Sequence, residues 1–183
     1  MGYGVFATRR LPRGTISWVH DVLDQTFTPE EVERLAPLHR DAVDRYSYLE
    51  PTGAYVLCWD HARYNNHSCR PTCRTIGDFD IVVRDIEPGE ELTIEYAVVN
   101  VQVAFACACG DAHCRGTVQP SDVDRFADVW DAEARDAARL MGQVIQPLAP
   151  LFGGSAALRR AADALQQGAP IELPSCRDLV RRC

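Results

Sequence analysis

The sequence predicts a mainly β domain of the α+β class with a helical extension at its C-terminal end. Three observations predict it. Over the first hundred residues, short β-rich stretches alternate with Gly and Pro turns, and few runs have helical spacing. From Val123 onward, Phe126, Trp130, Ala134, Ala137, Met141 and Val144 recur on one helical stripe. Between these regions stands a tight cysteine cluster, Cys107, Cys109 and Cys114. At 183 residues the chain suits one domain with a real core and a small appendage.

The elements follow in order. Residues 3–16 read as a strand, a basic turn (Arg9-Arg10-Leu11-Pro12-Arg13-Gly14) and a second strand starting at Thr15-Ile16. Thr28-Pro29-Glu30-Glu31 is a capping box, with Thr28 as N-cap and Pro29 at the first helical position. That helix should run to about Leu35, and a second one should cover Arg40–Tyr46. Tyr55, Val56, Leu57 and Trp59 mark a strand over 53–59, and another covers 79–84. Pro88-Gly89 turns the chain into a strand over Leu92–Tyr96. Ser121 should cap a long helix that stops by Pro147, its stripe packed on the β core. Gly153-Gly154 breaks the chain, and Ser155 opens a last helix that ends at Gly168.

Composition bounds the function. Hydrophobic content of 46% and charged content of 25% are those of a soluble globular protein. A net charge of −7 repels phosphate backbones, so no direct nucleic-acid binding is expected; a basic protein or an amine suits that field better. No apolar run approaches the ~20 residues of a membrane span, and Met1-Gly2-Tyr3-Gly4 does not open a signal peptide. A cytoplasmic location is expected. Eight cysteines in such a chain argue for metal or catalysis over disulfides.

Four patches carry chemistry. They are Gly2-Tyr3-Gly4-Val5-Phe6, Asn66-His67-Ser68-Cys69, Gly89-Glu90-Glu91-Leu92-Thr93-Ile94-Glu95-Tyr96 and the cysteine cluster. The G-x-G lacks the third glycine of a dinucleotide fingerprint. His67 and Cys69 do not make an obvious nucleophile pair on a strand. The C-x-C-x4-C spacing offers three thiolates where a tetrahedral zinc needs four ligands. Cys69, Cys73 and His113 all compete for the fourth place.

In this order the patches resemble the SET-domain family of protein-lysine methyltransferases with a post-SET zinc segment. The likeness is clear over residues 2–16 and 54–118, and the tail looks like an extension found on some small bacterial members. The resemblance implies a SET-type fold of short curved sheets around a threaded, knot-like active site. It divides the chain into a SET core (1–104), a post-SET zinc segment (105–118) and a C-terminal helical extension (119–183). It implies S-adenosylmethionine as cofactor, lined by Gly2, Tyr3, Gly4, Phe6, Tyr64, Asn66, His67 and Tyr96, with His67 acting largely through its backbone. Tyr96 matches the family's catalytic tyrosine. A structural Zn2+ would take Cys69, Cys107, Cys109 and Cys114 and staple the segment to the core.

The implied activity is methyl transfer to a lysine ε-amine of a protein substrate. Two other readings use the same residues: N-methylation of a small amine or free amino acid, and a non-catalytic SET-like binding module. Tyr46, Tyr48, Tyr55, Trp59, Tyr64 and Phe105 are the aromatic residues available for a lysine channel. Ile94 stands where several family members hold Phe or Tyr; without a hydroxyl it favours more than one methylation. Glu95 replaces a common Asp, Asn65 a residue more often apolar, and Thr72 a common Asn, a change expected to loosen the turn near Cys69.

Overall fold

Four small sheets, none wider than three strands, organise the chain up to Val118. The structure, a computed structural model, describes residues 2–180. In chain order the strands and helices are β1 (Val5–Phe6), β2 (Ile16–Val19), β3 (Gln25–Phe27), α1 (Pro29–Arg34), α2 (Pro37–Tyr46), β4 (Ser47–Leu49) and β5 (Tyr55–Leu57). Then come β6 (Asn66–His67), β7 (Cys73–Thr75), β8 (Phe79–Val82), β9 (Glu91–Ile94), β10 (Phe105–Ala106) and β11 (Thr117–Val118). The tail holds α3 (Asp122–Ala138) and α4 (Ala156–Gln167).

β9 is the hinge of the architecture. It pairs antiparallel with β1 and parallel with β6, so the glycine patch, Asn66-His67 and the run into Tyr96 meet in one sheet. β8 lies between β2 and β7, and β5 between β3 and β4, both sets antiparallel. β10 and β11 form a separate hairpin. β3, β4, β6, β7, β10 and β11 each span only two or three residues without a period-2 pattern, which is why they are not legible in the sequence.

Several local expectations hold in atomic detail. Thr28 Oγ1 accepts the Glu31 N–H at 3.2 Å while the Glu31 carboxylate accepts the Thr28 N–H at 2.7 Å. Ser155 Oγ accepts the Leu158 N–H at 3.0 Å and donates to Asp78 at 2.8 Å. Gly168 closes α4 in the left-handed conformation.

Others are corrected. α2 starts at Pro37 rather than Arg40, because a proline at the first helical position needs no N–H partner. Trp59 lies beyond β5, half exposed, with its indole N–H donating to Asp21. β8 ends at Val82 and β9 at Ile94. Past Ile94 the Glu95 carboxylate accepts the Ala97 N–H at 3.0 Å and turns Tyr96–Val99 into a 3-10 turn. Ser121 precedes α3 without capping it: its own backbone is already helical, and the Asp122 carboxylate takes the Gln119 N–H instead. α3 stops at Ala138, short of its apolar stripe, and Met141 continues the stripe on a 3-10 turn.

The stripe packs on the β core as expected. Ala134, Ala137, Ala138 and Met141 bury against Ile16, Val19, Phe79 and Ile81, with Leu158 and Ala161 of α4 closing the cluster. Val123, Ala127 and Trp130 meet Ala97, Val98 and Val118. Gly14 allows the approach: with a φ of +93° and Leu140 Cβ 2.9 Å from where its own Cβ would stand, no other residue fits. Among the described residues no helix is long and apolar enough to cross a membrane.

Candidate functional site

The cysteines gather first. Cys69 follows β6, while Cys107, Cys109 and Cys114 sit in the loop of the β10–β11 hairpin, closed by the Cys107 N–H to Gly116 C=O bond at 2.9 Å. The four Sγ atoms all lie within 4.8 Å of one another, with Cys69 and Cys107 at 3.7 Å. Zinc–sulfur bonds of about 2.3 Å in a tetrahedron give sulfur–sulfur edges of about 3.8 Å, so the donor set fits zinc. The Arg115 and Gly116 N–H groups donate to Cys69 and Cys114 sulfur, each at 3.4 Å, as they would to thiolates.

Charge in the cluster is uneven. Burial pushes the Cys69 and Cys107 thiols up. Burial acts the same way at Cys109, but the Cys69 and Asp111 N–H groups and the neighbouring thiols outweigh it and bring Cys109 down. Cys69 and Cys107 thus resist the deprotonation that Cys109 accepts, a conflict that a divalent cation resolves. The rival ligands stand elsewhere. Cys73 is buried between Ser17 and Thr72 hydroxyls, and the His113 side chain is 78% exposed against Asp111.

Tyr96 is held by the same segment. Its hydroxyl donates to the Asn65 carbonyl at 2.7 Å, and its ring packs on Phe105 and His67 at 6.2 and 5.5 Å between centroids. Burial, with the Glu91 charge, raises its pKa, so the phenol stays protonated near neutrality. The preceding Glu95 is fully buried and takes both arms of Arg115 at 2.9 Å. Arg115 follows Cys114 directly, pairs with Asp122 at 3.4 Å and lies over the Phe126 and Trp130 rings of α3. A continuous path thus runs from the thiol cluster through Arg115 and Glu95 to Tyr96.

His67 faces inward. Its Nδ1 accepts the Tyr96 N–H at 3.3 Å, which places the ring proton on Nε2, 3.4 Å from Cys69 sulfur. Burial lowers its pKa and keeps it neutral, so only its backbone is left for a ligand. Thr72 does not loosen the neighbouring turn. It exchanges hydrogen bonds with Thr93, N–H to Oγ1 at 3.1 Å and the reverse at 2.8 Å.

The glycine strand lies across from Asn66. Asn66 Nδ2 donates to the Tyr3 carbonyl at 2.9 Å and to the Glu91 carboxylate at 2.7 Å. A Cβ on Gly4 would come within 2.5 Å of Glu91 Oε1 and 3.3 Å of Asn66 Nδ2, so a larger residue would push the Glu91 carboxylate away from Asn66; nothing crowds Gly2. The Tyr3 and Tyr64 rings meet at 5.2 Å, and Tyr3 and Phe6 remain largely exposed beside the amide.

A cavity of about 400 Å3 reaches Tyr96 and Ile94. Trp18, Tyr46, Tyr48 and Tyr55 wall it; Trp59, Tyr64 and Phe105 do not. Trp18 and Tyr48 meet edge to face at 5.9 Å. Asp80 also lines it. On β8 this residue faces Trp18 across one strand pair and Thr75 across the other, and is only 3% exposed. Burial pushes its pKa up to about 6, Thr75 acts the other way, and Asp60 adds to the rise. Sequence reasoning missed Asp80, although a lone acid in the apolar run Phe79-Asp80-Ile81-Val82 is itself a signal.

The family model for the SET domain matches residues 2–97, just over half of the chain. The histone H3-lysine(4) N-trimethyltransferase ATX1 of Arabidopsis thaliana is 37% identical over 67% of this chain and 13% of its own length. The histone-lysine N-methyltransferase Set2 of Drosophila melanogaster is 32% identical over 64% of this chain and 6% of its own. The chain spans between 4% and 16% of the length of these and similar curated relatives. A solved structure, KRYPTONITE in complex with mCHG DNA and SAH, aligns at a TM-score of 0.43 and 20% identity, over 63% of this chain and 26% of that one.

Proposed function

The chain belongs to the SET domain family, with its fold of small sheets, and from that premise we propose that it transfers methyl from S-adenosylmethionine to a lysine ε-amine of a protein substrate. The observation that carries this reading is Tyr96, a protonated, oriented phenol at the junction of the aromatic cavity and the sheet of β1, β9 and β6. The names of the relatives, histone-lysine methyltransferases, support it.

The residues suit both reactants. The close approach at Gly4, the exposed Tyr3 and Phe6 rings and the Asn66–Glu91 pair offer flat apolar contact beside polar groups, which fits a ligand with an aromatic base and an amino group. When bound, the cofactor supplies an activated methyl on a positive sulfur. The chain positions the amine in line with it. A lysine with an ordinary pKa near ~10.4 is almost wholly charged at neutral pH. Desolvation between Trp18, Tyr46 and Tyr48 favours the neutral, nucleophilic form. The same rings hold the methylated ammonium product by cation–π contact. Ile94 in the wall offers no hydroxyl to fix a blocking water, so more than one methyl is accommodated.

Zinc is the second part of the proposal. Bound by Cys69, Cys107, Cys109 and Cys114, it fixes a hairpin too small to hold itself. The test is transfer of labelled methyl from S-adenosylmethionine to histones or basic proteins by the zinc-loaded chain, with Tyr96→Phe alongside. Wild type should transfer, and the variant should lose ~100-fold or more in rate, in line with removal of one oriented donor. Equal rates would remove Tyr96 from its role, and no transfer to any protein would count against the substrate class.

A further inference from the structure

The methyl-acceptor reading leaves most of the cavity unexplained. A lysine side chain brings five heavy atoms beyond Cα. A volume of about 400 Å3 is roughly thirteen times the share of one water in the liquid. The surplus is not apolar. Ser47, Asn65, Thr75 and Asp80 all line this cavity, and their Oγ, Oδ1, Oγ1 and Oδ1 atoms are buried with no hydrogen bond of ordinary geometry among the described residues, although Thr75 stands near enough to Asp80 to oppose the rise in its pKa. They are two hydroxyls, an amide oxygen and a carboxyl oxygen; all four can accept, and the hydroxyls can also donate. Buried polar atoms are nearly always paired, so a cluster of unpaired acceptors points to an absent donor-rich group.

Position divides them. Asn65 belongs to the methyl-transfer end, since its carbonyl holds the Tyr96 hydroxyl. Thr75 and Asp80 sit on paired strands of a different sheet from β9, with Trp18 across the second pair. Both are at least nine-tenths buried. The surroundings are acidic: Asp60 raises the pKa of Asp80, and Asp24 and Asp60 both raise that of the neighbouring Cys58 thiol. Arg63, which also lines the cavity, is committed to the Asp60 and Trp59 carbonyls and lies over the Tyr64 ring. Arg45 and Asp44 are exposed at the mouth.

We propose that the Asp80 end of the cavity is a cation subsite: Asp80, with Thr75 and the Trp18 ring, receives a second basic group of the substrate while the acceptor amine lies at Tyr96. Asp80 is then a specificity-determining residue, and the substrate class is dibasic. The chemistry is an ammonium or guanidinium a few bonds from the methylated amine. A buried carboxylate without a counter-ion is costly, and a bound cation offsets that cost. The aromatic face of Trp18 adds cation–π attraction. Two sources present this chemistry, a protein segment with adjacent basic residues and a free aliphatic diamine.

The subsite rests on the methyltransferase reading only for the role of Tyr96, so binding is measured apart from transfer. The probes are 1,5-diaminopentane and n-pentylamine, titrated calorimetrically into the full zinc-loaded chain and its Asp80→Asn variant. The diamine should bind wild type at least ten-fold tighter than the monoamine, and Asp80→Asn should abolish that preference. Equal affinities in wild type would overturn the subsite without reference to any variant, with ordered water as the partner of these acceptors. A preference that survives in Asp80→Asn would also overturn it. Transfer assays separate the two readings: peptides carrying Lys-Arg or Lys-Lys should outrun a lone lysine in neutral sequence at least ten-fold. Equal rates would keep the methyltransferase and reject the subsite. Diamine binding without any transfer would keep the subsite and reject the methyltransferase. Methylation of the free diamine but not of either dibasic peptide would assign the same subsite to a small-molecule substrate.

Discussion

The two stretches that follow Tyr96 are attached to the β core by different physics. Residues 105–118 carry only two two-residue strands, and their three cysteines are partly exposed. The tail from α3 to α4 instead buries Val123, Trp130, Met141 and Leu158 to within a few per cent of full burial. Such burial is worth about 1.5–3 kcal/mol for each large apolar side chain. The hairpin lends Val118 and Phe105 to the cluster with α3, but its cysteine loop has no comparable resource, so the proposed metal takes the place of a core there, at a binding free energy of order 10 kcal/mol. The lesson concerns coupling. The metal-held segment touches Tyr96 through Phe105 and reaches Glu95 through Arg115, whereas α4 packs in the cluster that Ala134, Ala137, Ala138 and Met141 form with Ile16, Val19, Phe79 and Ile81, apart from the cluster beside Tyr96.

The largest effect should come from Cys109→Ser or from chelation. Either should release zinc, abolish methyl transfer and expose the hairpin to protease, while the helical signal of α3 and α4 persists. Metal analysis and circular dichroism check this together, and loss of the tail's helices would merge two regions that the contrast separates. Next, Arg115→Ala leaves Glu95 buried without its partner and should cost about 3–5 kcal/mol. That cost should come with a fall in transfer rate, read by denaturant unfolding and kinetics on one sample. Leu158→Ala should cost about 2–5 kcal/mol by opening a cavity in the tail cluster. Zinc content should stay unchanged, and any loss of metal would show that the regions are not independent.

The last effect is one of pH, confined to the acid range. Asp80, raised to about 6 in the folded chain, binds its proton more tightly there than when unfolded. Its contribution is therefore present below about pH 4 and is lost as pH rises to about 6. It amounts to about 3 kcal/mol at ~1.4 kcal/mol per pKa unit. Asp80→Asn should flatten that slope in a pH series of unfolding midpoints, and an unchanged slope would assign it to other groups.

Legibility followed the same divide. Helices written by caps and stripes were readable: Thr28, Ser155 and Gly168 sit where their chemistry requires. The four thiols were readable because a coordination sphere demands a spacing and a resemblance supplied Cys69. Strands of two or three residues leave no period, so β6 and β10 appear only when tertiary pairing forms them. Ser121 looked like a cap, but Asp122 does the capping at Gln119, a competition between neighbours that composition does not decide. The three of six aromatic residues that wall the cavity could not be sorted, because facing depends on how three sheets meet. Asp80 was visible as an acid in an apolar strand, yet its meaning required the cavity.

The most direct test of the central claim, that a metal-held hairpin completes the methyl-transfer site, is a calorimetric titration of S-adenosylmethionine into zinc-loaded and zinc-stripped chain. The account predicts saturable binding to the loaded form, weakened at least ten-fold by Asn66→Ala, and none to the stripped form whose helices remain intact. Equal binding with and without zinc, or no binding to a folded and loaded chain, would contradict it.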